Sequence, residues 1–97
     1  MIQRFLNRGT EDVFNGFDTK AARRVCPREL WARAQRRLSQ LDYASSLDDL
    51  RLPRSNRLHR LEGDRKNQHS VSINMEYRIC FIWTDAGPED VEIVDYH

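Results

Sequence analysis

The chain contains little cysteine and glycine and has no long apolar run, and each shortage excludes a class of protein. Its two cysteines, Cys26 and Cys80, are too far apart for a CxxC motif or a usual metal-ligand spacing. Its four glycines are scattered, so there is no glycine-rich loop for a nucleotide phosphate. The N-terminal sequence lacks the apolar stretch of about seven residues that a signal peptide needs, and no segment approaches membrane-spanning length.

These absences favour a cytoplasmic protein that has no membrane partner and uses no metal or other cofactor. Cys80 lies in an apolar run and is predicted to be a buried thiol. The length of 97 residues suits one domain, 1–97, and a content of 39% hydrophobic and 32% charged residues is typical of a folded soluble chain.

Positive charge is concentrated in one segment, although the net charge of the chain is only +1. Residues 20–66 hold thirteen Lys/Arg against six Asp/Glu, whereas residues 67–97 hold one basic residue, Arg78, against six acids. Fourteen of the sixteen basic residues are Arg, whose planar guanidinium can bind a phosphate through two hydrogen bonds. The pattern indicates nucleic acid or an acidic protein as a partner, and a solvated helix face is the alternative.

The beginning of the chain predicts one short strand and one helical turn. Residues 2–5 alternate in hydropathy, as a half-buried strand does. Thr10 and the two acids that follow it suit the start of a helical turn, and Gly16 suits its end.

The clearest helix is predicted over about residues 27–43. Pro27 suits a first helical position, and apolar residues at spacings of four, four and three form one face. The members of this face are Leu30, Ala34, Leu38 and Leu41. Further along the chain, Ser46 and Asp49 form a capping box that predicts a short second helix.

The hydrophobic period changes to two at His69, which predicts strands over residues 69–74, 77–84 and 91–96. The polar, Gly-Pro-containing stretch 85–90 is predicted to be a hairpin loop. The middle strand is apolar on both faces, as expected of a central strand.

The order of elements predicts an α+β fold: one curved antiparallel sheet with two main helices of the N-terminal half packed on one face. Residues 53–68, between the helices and the strands, are predicted to be irregular. Arg78 points to the side opposite Ile79 and Phe81, so we expect it on the face of the sheet that the helices leave open.

Arg78 is also the strongest single candidate for a functional residue, because a lone Arg in an apolar strand is costly unless it is ion-paired or faces a ligand. His59 lies between two leucines, where a histidine is more often a surface or half-buried residue. The last strand is followed by an acid, a phenol and an imidazole, Asp95, Tyr96 and His97, and we expect His97 at the rim of the open face.

Two imidazoles, a phenol and several arginines suit RNA cleavage without a metal. In this reaction the ribose 2′-OH attacks its own phosphodiester. A base must accept the 2′ proton, an acid must protonate the leaving 5′ oxygen, and cations must stabilise the developing charge. Histidine, with an ordinary pKa of about 6.5, can take either proton-transfer role near neutral pH. Which residue is the base and which is the acid stays open.

Three stretches of the sequence resemble one family of bacterial toxins. They are LHRLEGDR, QHSVSINMEYRICFIWTD and VEIVDYH. Together they are similar to the HigB-type toxins, the plasmid-maintenance "killer" branch of the RelE/ParE toxin–antitoxin superfamily. The resemblance extends over the whole chain in length and element order, and it is strongest over residues 57–97.

The resemblance implies a RelE-like fold and a ribosome-dependent endoribonuclease that cleaves mRNA in the decoding site and inhibits translation. It implies three partners: the ribosome, mRNA and a HigA-type antitoxin with a helix-turn-helix domain. The toxin is expected to contact operator DNA only through this antitoxin. The catalytic set implied by position in the motifs is His59, Arg65, Arg78, Asp95, Tyr96 and His97. The cations expected to bind RNA or the ribosome are Arg33, Arg36, Arg37, Arg57, Arg60 and Lys66.

The chain departs from the family pattern at Glu62, where relatives commonly have a lysine after the LHxL stretch. Loss of this cation predicts a mild activity unless Arg60 or Lys66 replaces it. One alternative is a non-catalytic growth inhibitor like the ParE toxins, which share the fold, and another is a module that only binds an antitoxin. The presence of both His59 and His97 favours the nuclease.

Overall fold

The computed structural model of the protein describes residues 1–96, in which three α-helices precede four strands. The helices are α1 (Arg8–Asn15), α2 (Lys20–Val25) and α3 (Trp31–Tyr43). The strands are β1 (His59–Arg60), β2 (His69–Ser72), β3 (Tyr77–Thr84) and β4 (Gly87–Asp95). Neighbouring strands are antiparallel, in the order β1-β2-β3-β4. The predicted α+β class is therefore confirmed.

α1 begins three residues before the predicted turn because Asn7, and not Thr10, caps it. The Asn7 side chain accepts a hydrogen bond from the Thr10 amide at 2.8 Å, which satisfies one of the free N–H groups of the first turn. The helix ends at Gly16, as predicted. Gly16 has a φ of +79°, a left-handed conformation that costs glycine little.

The prediction of a strand over residues 2–5 is wrong, although this segment is extended. Asn7 turns the chain into α1, so too few residues remain for a ladder, and Phe5 forms a single parallel bridge to Val91. The segment nevertheless lies along β4. Its backbone hydrogen bonds run from Gln3 N–H to Pro88 O, from Val91 N–H to Arg4 O and from Leu6 N–H to Val91 O.

The sequence pattern does not predict α2, which begins at Thr19. The Thr19 hydroxyl accepts a hydrogen bond from the Ala22 amide at 3.1 Å. α3 confirms the predicted long helix, except that its first turn, Arg28–Leu30, is a 3-10 helix. The predicted apolar face is buried in the core, with Ala34, Leu38 and Leu41 all 0% exposed.

The second predicted helix is also a 3-10 turn, Leu47–Arg51. It starts at the predicted capping box, in which Ser46 and Asp49 each bond the other's backbone N–H. It stops early because Pro53, and the residue before it, cannot continue an α-helix. Three helices, α1, α2 and α3, therefore pack against β4 where the sequence predicted two.

The β3–β4 hairpin is tighter than predicted. Thr84 pairs with Gly87, so two residues make the turn instead of the six in 85–90. Glycine is required at position 87 because its φ is +129° and because the Met1 carbonyl occupies the place of a Cβ.

The hydrophobic core lies between the helices and one face of the sheet. Its strand residues alternate along the chain, as the pleat requires. They include Val71, Ile79, Phe81, Val91 and Ile93, each at most 4% exposed. The intervening residues project to the opposite side, here called the open face. None of the helices in residues 1–96 has both the length and the apolar character needed to cross a bilayer.

Candidate active site

A row of four side chains crosses the open face from β1 to β4. Residues directly opposite each other in an antiparallel sheet project to the same side. His59 pairs with Ser70, Ser70 with Cys80, and Cys80 with Glu92. The row therefore places an imidazole, a hydroxyl, a thiol and a carboxylate on the side away from the helices.

Arg78 lies on the same face, one row further along, as predicted. Its Nε donates a hydrogen bond to Ser70 Oγ at 2.7 Å, and its Nη2 donates to the Arg57 carbonyl at 2.8 Å. Its Cζ lies 5.5 Å from the centroid of the Tyr96 ring, within the range of a cation–π contact. Three neighbours thus fix the direction of the guanidinium.

Three of the predicted catalytic residues line one cleft of about 390 Å³ on this face. They are His59, Arg78 and Tyr96, and the other lining residues are Arg57 and Leu58. This space is called the reaction cleft below. His59 is exposed at one wall and Tyr96, 51% exposed, at another. A solvent-open cleft with a fixed cation between an imidazole and a phenol suits proton transfer around an anionic ligand.

Arg65 is held away from the reaction cleft. The chain after β1 folds across the open face, and Arg65 Nη1 donates to Glu92 Oε1 at 2.9 Å and to Gln68 Oε1 at 3.0 Å. The ion pair with Glu92 raises the pKa of Arg65. Arg65 is not among the residues that line the reaction cleft.

Asp95 and Tyr96 project to opposite sides of β4. Asp95 is opposite Tyr77 and has the parity of the core residues Val91 and Ile93, so it lies on the helix side of the sheet. Burial, and then the charge of Asp95, raise the pKa of Tyr77. The predicted site residue His97 lies outside the described residues.

The predicted RNA-binding cations separate into two groups. Arg57 lines the reaction cleft, and it also lines a second cleft together with Arg33 and Arg37. Arg36, Arg60 and Lys66 are exposed and line neither of these two clefts.

The cations proposed to compensate for Glu62 lie elsewhere. Arg60 is opposite His69, on the helix side of the sheet. Lys66 follows the 3-10 turn Gly63–Arg65 and lines two shallow clefts beside Ile82. Arg57 is therefore the cation, besides Arg78, that borders the reaction cleft among residues 1–96.

Two residues of the open face were missed by the sequence analysis, Ser70 and Glu92. Ser70 is 0% exposed and its hydroxyl holds Arg78, whereas Glu92 holds Arg65. Their even-numbered positions place them on the open face of each strand, and this alternation is the sequence signal that could have identified them. Their partners depend on strand register, which the sequence does not state.

Burial shapes the titration of two groups in the sheet. It raises the pKa of Cys80, which Glu92 also raises, while Arg65 and Arg78 oppose the shift. It lowers the pKa of His69, and the positive charge of Arg60 acts in the same direction. Among residues 1–96, no group of three His, Cys, Asp or Glu side chains is close enough to hold a metal ion.

An open antiparallel sheet with helices on one face is the fold of the RelE-like toxins. A sequence model of the family described as "RelE-like toxin of type II toxin-antitoxin system HigB" matches residues 4–97. The chain therefore belongs to the HigB-like toxin family.

A curated relative is similar over part of the chain. Toxin HigB-1 of Vibrio cholerae serotype O1 (strain ATCC 39315 / El Tor Inaba N16961) is 38% identical over 63 residues. The match covers 65% of this chain and 66% of the relative, just under two thirds of its length. The predicted resemblance to HigB-type toxins is confirmed by the family match.

Proposed function

We propose that the protein is a ribosome-dependent endoribonuclease that cleaves mRNA in the decoding site and so inhibits translation. Its cognate partner in this proposal is a HigA-type antitoxin whose helix-turn-helix domain binds the operator DNA. Membership of the HigB-like toxin family and the cationic reaction cleft support the proposal.

The arrangement around Arg78 is the observation that carries the proposal. No carboxylate of residues 1–96 forms an ion pair with Arg78, whereas six other ion pairs are present in the same region. Its side chain is instead held by a buried hydroxyl and a backbone carbonyl, both neutral. A fixed guanidinium with no carboxylate partner among the described residues is suited to an anion that arrives from outside, and a phosphodiester is such an anion.

The proposed chemistry needs only the substrate and side chains. A base accepts the proton of the 2′-OH, O2′ bonds to phosphorus, and the P–O5′ bond breaks as O5′ receives a proton from an acid. The products are a 2′,3′-cyclic phosphate and a 5′-hydroxyl end. His59, Tyr96 and, by motif position, His97 supply the proton transfers, while Arg78 and Arg57 stabilise the charge on the phosphoryl oxygens.

Arg65 and Asp95 take supporting roles in this proposal. Arg65 is engaged by Glu92 and fixes the segment that crosses the open face, and Asp95 lies on the other side of the strand that carries Tyr96. The ribosome supplies the alignment of the 2′-OH with the phosphorus, which in favourable cases contributes up to about 7–11 kcal/mol to lowering a barrier.

The proposal is tested in a purified translation system in which mRNA fragments are mapped by primer extension. We expect the wild-type protein to cut mRNA only when ribosomes translate it. We expect Arg78→Ala to cut about 10²- to 10³-fold more slowly, as when a transition-state hydrogen-bond donor is removed. Arg51→Ala, which removes an exposed arginine of the Leu47–Arg51 turn, is the control and should cut normally.

Intact mRNA in the presence of wild-type protein would reject the nuclease. In a second experiment the protein is induced in bacterial cells. If growth stops with a DNA-damage response and without mRNA fragments, the ParE-like alternative replaces the nuclease. Equal cutting by wild type and Arg78→Ala would remove Arg78 from the site.

A further inference from the structure

A second cleft, of about 420 Å³, lies between α3 and the turn that joins β2 to β3. Its lining includes Arg33 and Arg37 of α3, Arg57, and the turn residues Asn74 and Met75. It is called the arginine cleft below. Arg36, the third arginine of this helix segment, is exposed and outside it.

The arginines of this cleft are held by neutral oxygens. Arg37 donates to the Ser72 carbonyl at 3.1 Å and to Ser55 Oγ at 3.2 Å, and Arg33 donates to the Ile73 carbonyl at 3.4 Å. None of the ion pairs within residues 1–96 includes an arginine of this cleft. Burial lowers the pKa of Arg37, and the charges of Arg33 and Arg36 lower it further. Like charges are thus held together here with no carboxylate partner from residues 1–96.

Arg57 joins the arginine cleft to the reaction cleft because it lines both of them. Its backbone is left-handed, with a φ of +47°, a conformation that is uncommon for a non-glycine residue. Its carbonyl accepts the hydrogen bond from Arg78, and the residue borders both clefts. A polymeric anion with one charge in the reaction cleft can therefore place a neighbouring charge in the arginine cleft.

We propose that the arginine cleft binds a phosphodiester of the substrate RNA next to the one that is cleaved. The inference rests on the proposed function, since it extends the same RNA strand from one cleft into the other. Planar guanidinium groups bind phosphate oxygens through paired hydrogen bonds. Met75, 79% exposed at the edge of the cleft, offers an apolar surface to a base. An acidic protein segment is the competing occupant, and RNA is favoured because the regularly spaced anionic groups of a phosphodiester strand suit two clefts that share Arg57.

The test uses the full chain and 2′-O-methyl RNA, which binds but cannot be cleaved. A dinucleotide, with one phosphodiester, and a tetranucleotide, with three, are titrated over a range of salt concentrations. We expect the tetranucleotide to bind about tenfold more tightly or better, as charge-assisted hydrogen bonds allow. Each added phosphate contact should steepen the dependence of log K on log salt by about 0.7.

The matched variants are Arg33→Gln/Arg37→Gln in the cleft and Arg24→Gln/Arg51→Gln outside it. Arg24 of α2 and Arg51 are exposed and line neither cleft, so both variants lose two positive charges. We expect the cleft variant to lose the gain from dinucleotide to tetranucleotide, and the control variant to keep it. An undiminished gain in the cleft variant overturns the proposal. So does an equal loss in the control variant, because it would show general electrostatic attraction and no specific cleft.

A second arm changes the RNA and leaves the protein intact, in case the cleft variant does not fold. Neutral methylphosphonate linkages replace the phosphates of the tetranucleotide one at a time. We expect a neutral linkage at one of the three positions, next to the phosphate that occupies the reaction cleft, to abolish the tighter binding of the tetranucleotide. An equal effect at every position contradicts a specific site. A peptide of Asp and Glu that binds wild type and loses binding in the cleft variant, while RNA binding is unchanged, would reassign the cleft to a protein partner.

The outcome is separable from that of the proposed function because the probes are not cleaved. If mRNA stays intact in the translation system but the length gain depends on Arg33 and Arg37, the RNA subsite stands and the nuclease is rejected. If mRNA is cut but the gain is independent of these arginines, the nuclease stands and the subsite is rejected.

Discussion

Ser70 and Arg78 are joined by a hydrogen bond across two strands, from Arg78 Nε to Ser70 Oγ at 2.7 Å. Ser70 is on β2 and 0% exposed, so water does not compete for its hydroxyl. The bond sets the direction of the guanidinium from behind, and its other side remains toward the reaction cleft. Ser70 therefore acts as a positioning residue for Arg78 in the proposed reaction.

Ser70→Ala is expected to slow mRNA cleavage, by up to about 10²-fold, without weakening ribosome binding, because the guanidinium loses one of its fixed partners and is less well positioned. Ser70→Thr keeps the hydroxyl and suits a strand, so it should retain more of the rate. The measurement compares the cleavage rate with the affinity for ribosomes in all three proteins. Equal rate losses in Ala and Thr would show that Ser70 acts only through packing.

Glu92→Gln should lower the free energy of unfolding by about 1–3 kcal/mol, because it removes the negative charge from a partly buried charge-assisted hydrogen bond. The side chain of Glu92 is 15% exposed and that of Arg65 is 39% exposed. Asp48→Asn is the matched control, because the Asp48 and Arg51 side chains are 79% and 71% exposed and such a pair contributes about 0.2–1 kcal/mol. Urea unfolding should show a larger loss of unfolding free energy for Glu92→Gln than for Asp48→Asn. Similar losses in the two variants would contradict a structural role for Glu92 beyond that of an exposed ion pair.

His69 predicts a pH dependence of stability. Its pKa is lowered by burial and then by the charges of Arg60 and His59, its ring stacks on Phe81, and its buried Nδ1 has no partner among residues 1–96. The unfolded chain therefore binds a proton more readily than the folded one. As the pH falls below the ordinary pKa of about 6.5, stability should fall, until the lower folded pKa is passed.

His69→Phe removes the titrating imidazole and keeps an aromatic ring that can stack on Phe81. We expect its urea-unfolding free energy to change less than that of wild type between neutral pH and mildly acidic pH. The same slope in both proteins would assign the pH dependence to other groups.

Both cysteines should resist alkylation while the protein is folded. Burial raises the pKa of Cys26 to about 11, and it raises the pKa of Cys80 as well. Cys26 is 1% exposed and Cys80 0%, which confirms the predicted burial of Cys80. Because the thiolate is the reactive form, iodoacetamide should modify the protein only after urea is added. Mass spectrometry measures this, and rapid modification without urea would contradict it.

Elements with a long hydrophobic pattern of their own were predictable, and elements that depend on a partner for their structure were not. The apolar face of α3 repeats over three turns, and β3 contains a continuous apolar run within its eight residues, so both carry their own signal. β1 consists of two residues that form a strand only because they pair with β2. α2 has six residues, too few for a hydrophobic period, and depends on the Thr19 cap.

The candidate site likewise has a part that the sequence predicts and a part that depends on tertiary packing. The position of Arg78 on the open face is set by strand parity, which the sequence contains. Parity also separates Asp95 from Tyr96, although both residues were predicted to lie in one site. The meeting of His59 with Arg78 depends on the register of β1, β2 and β3, which is fixed by tertiary packing.

The extended N-terminal segment leaves β4 with few free backbone groups on its outer side. Gln3, Arg4 and Leu6 bond to Pro88 and Val91, and the Thr10 hydroxyl accepts the Ile93 N–H at 3.0 Å. A strand edge with its N–H and C=O groups already bonded cannot pair with another chain. The sheet is thus closed to extension along this part of β4, and at its opposite edge β1 offers only two residues. We therefore expect a protein that binds this molecule to contact mainly its side chains, because few backbone N–H and C=O groups are free to pair with another strand along β4.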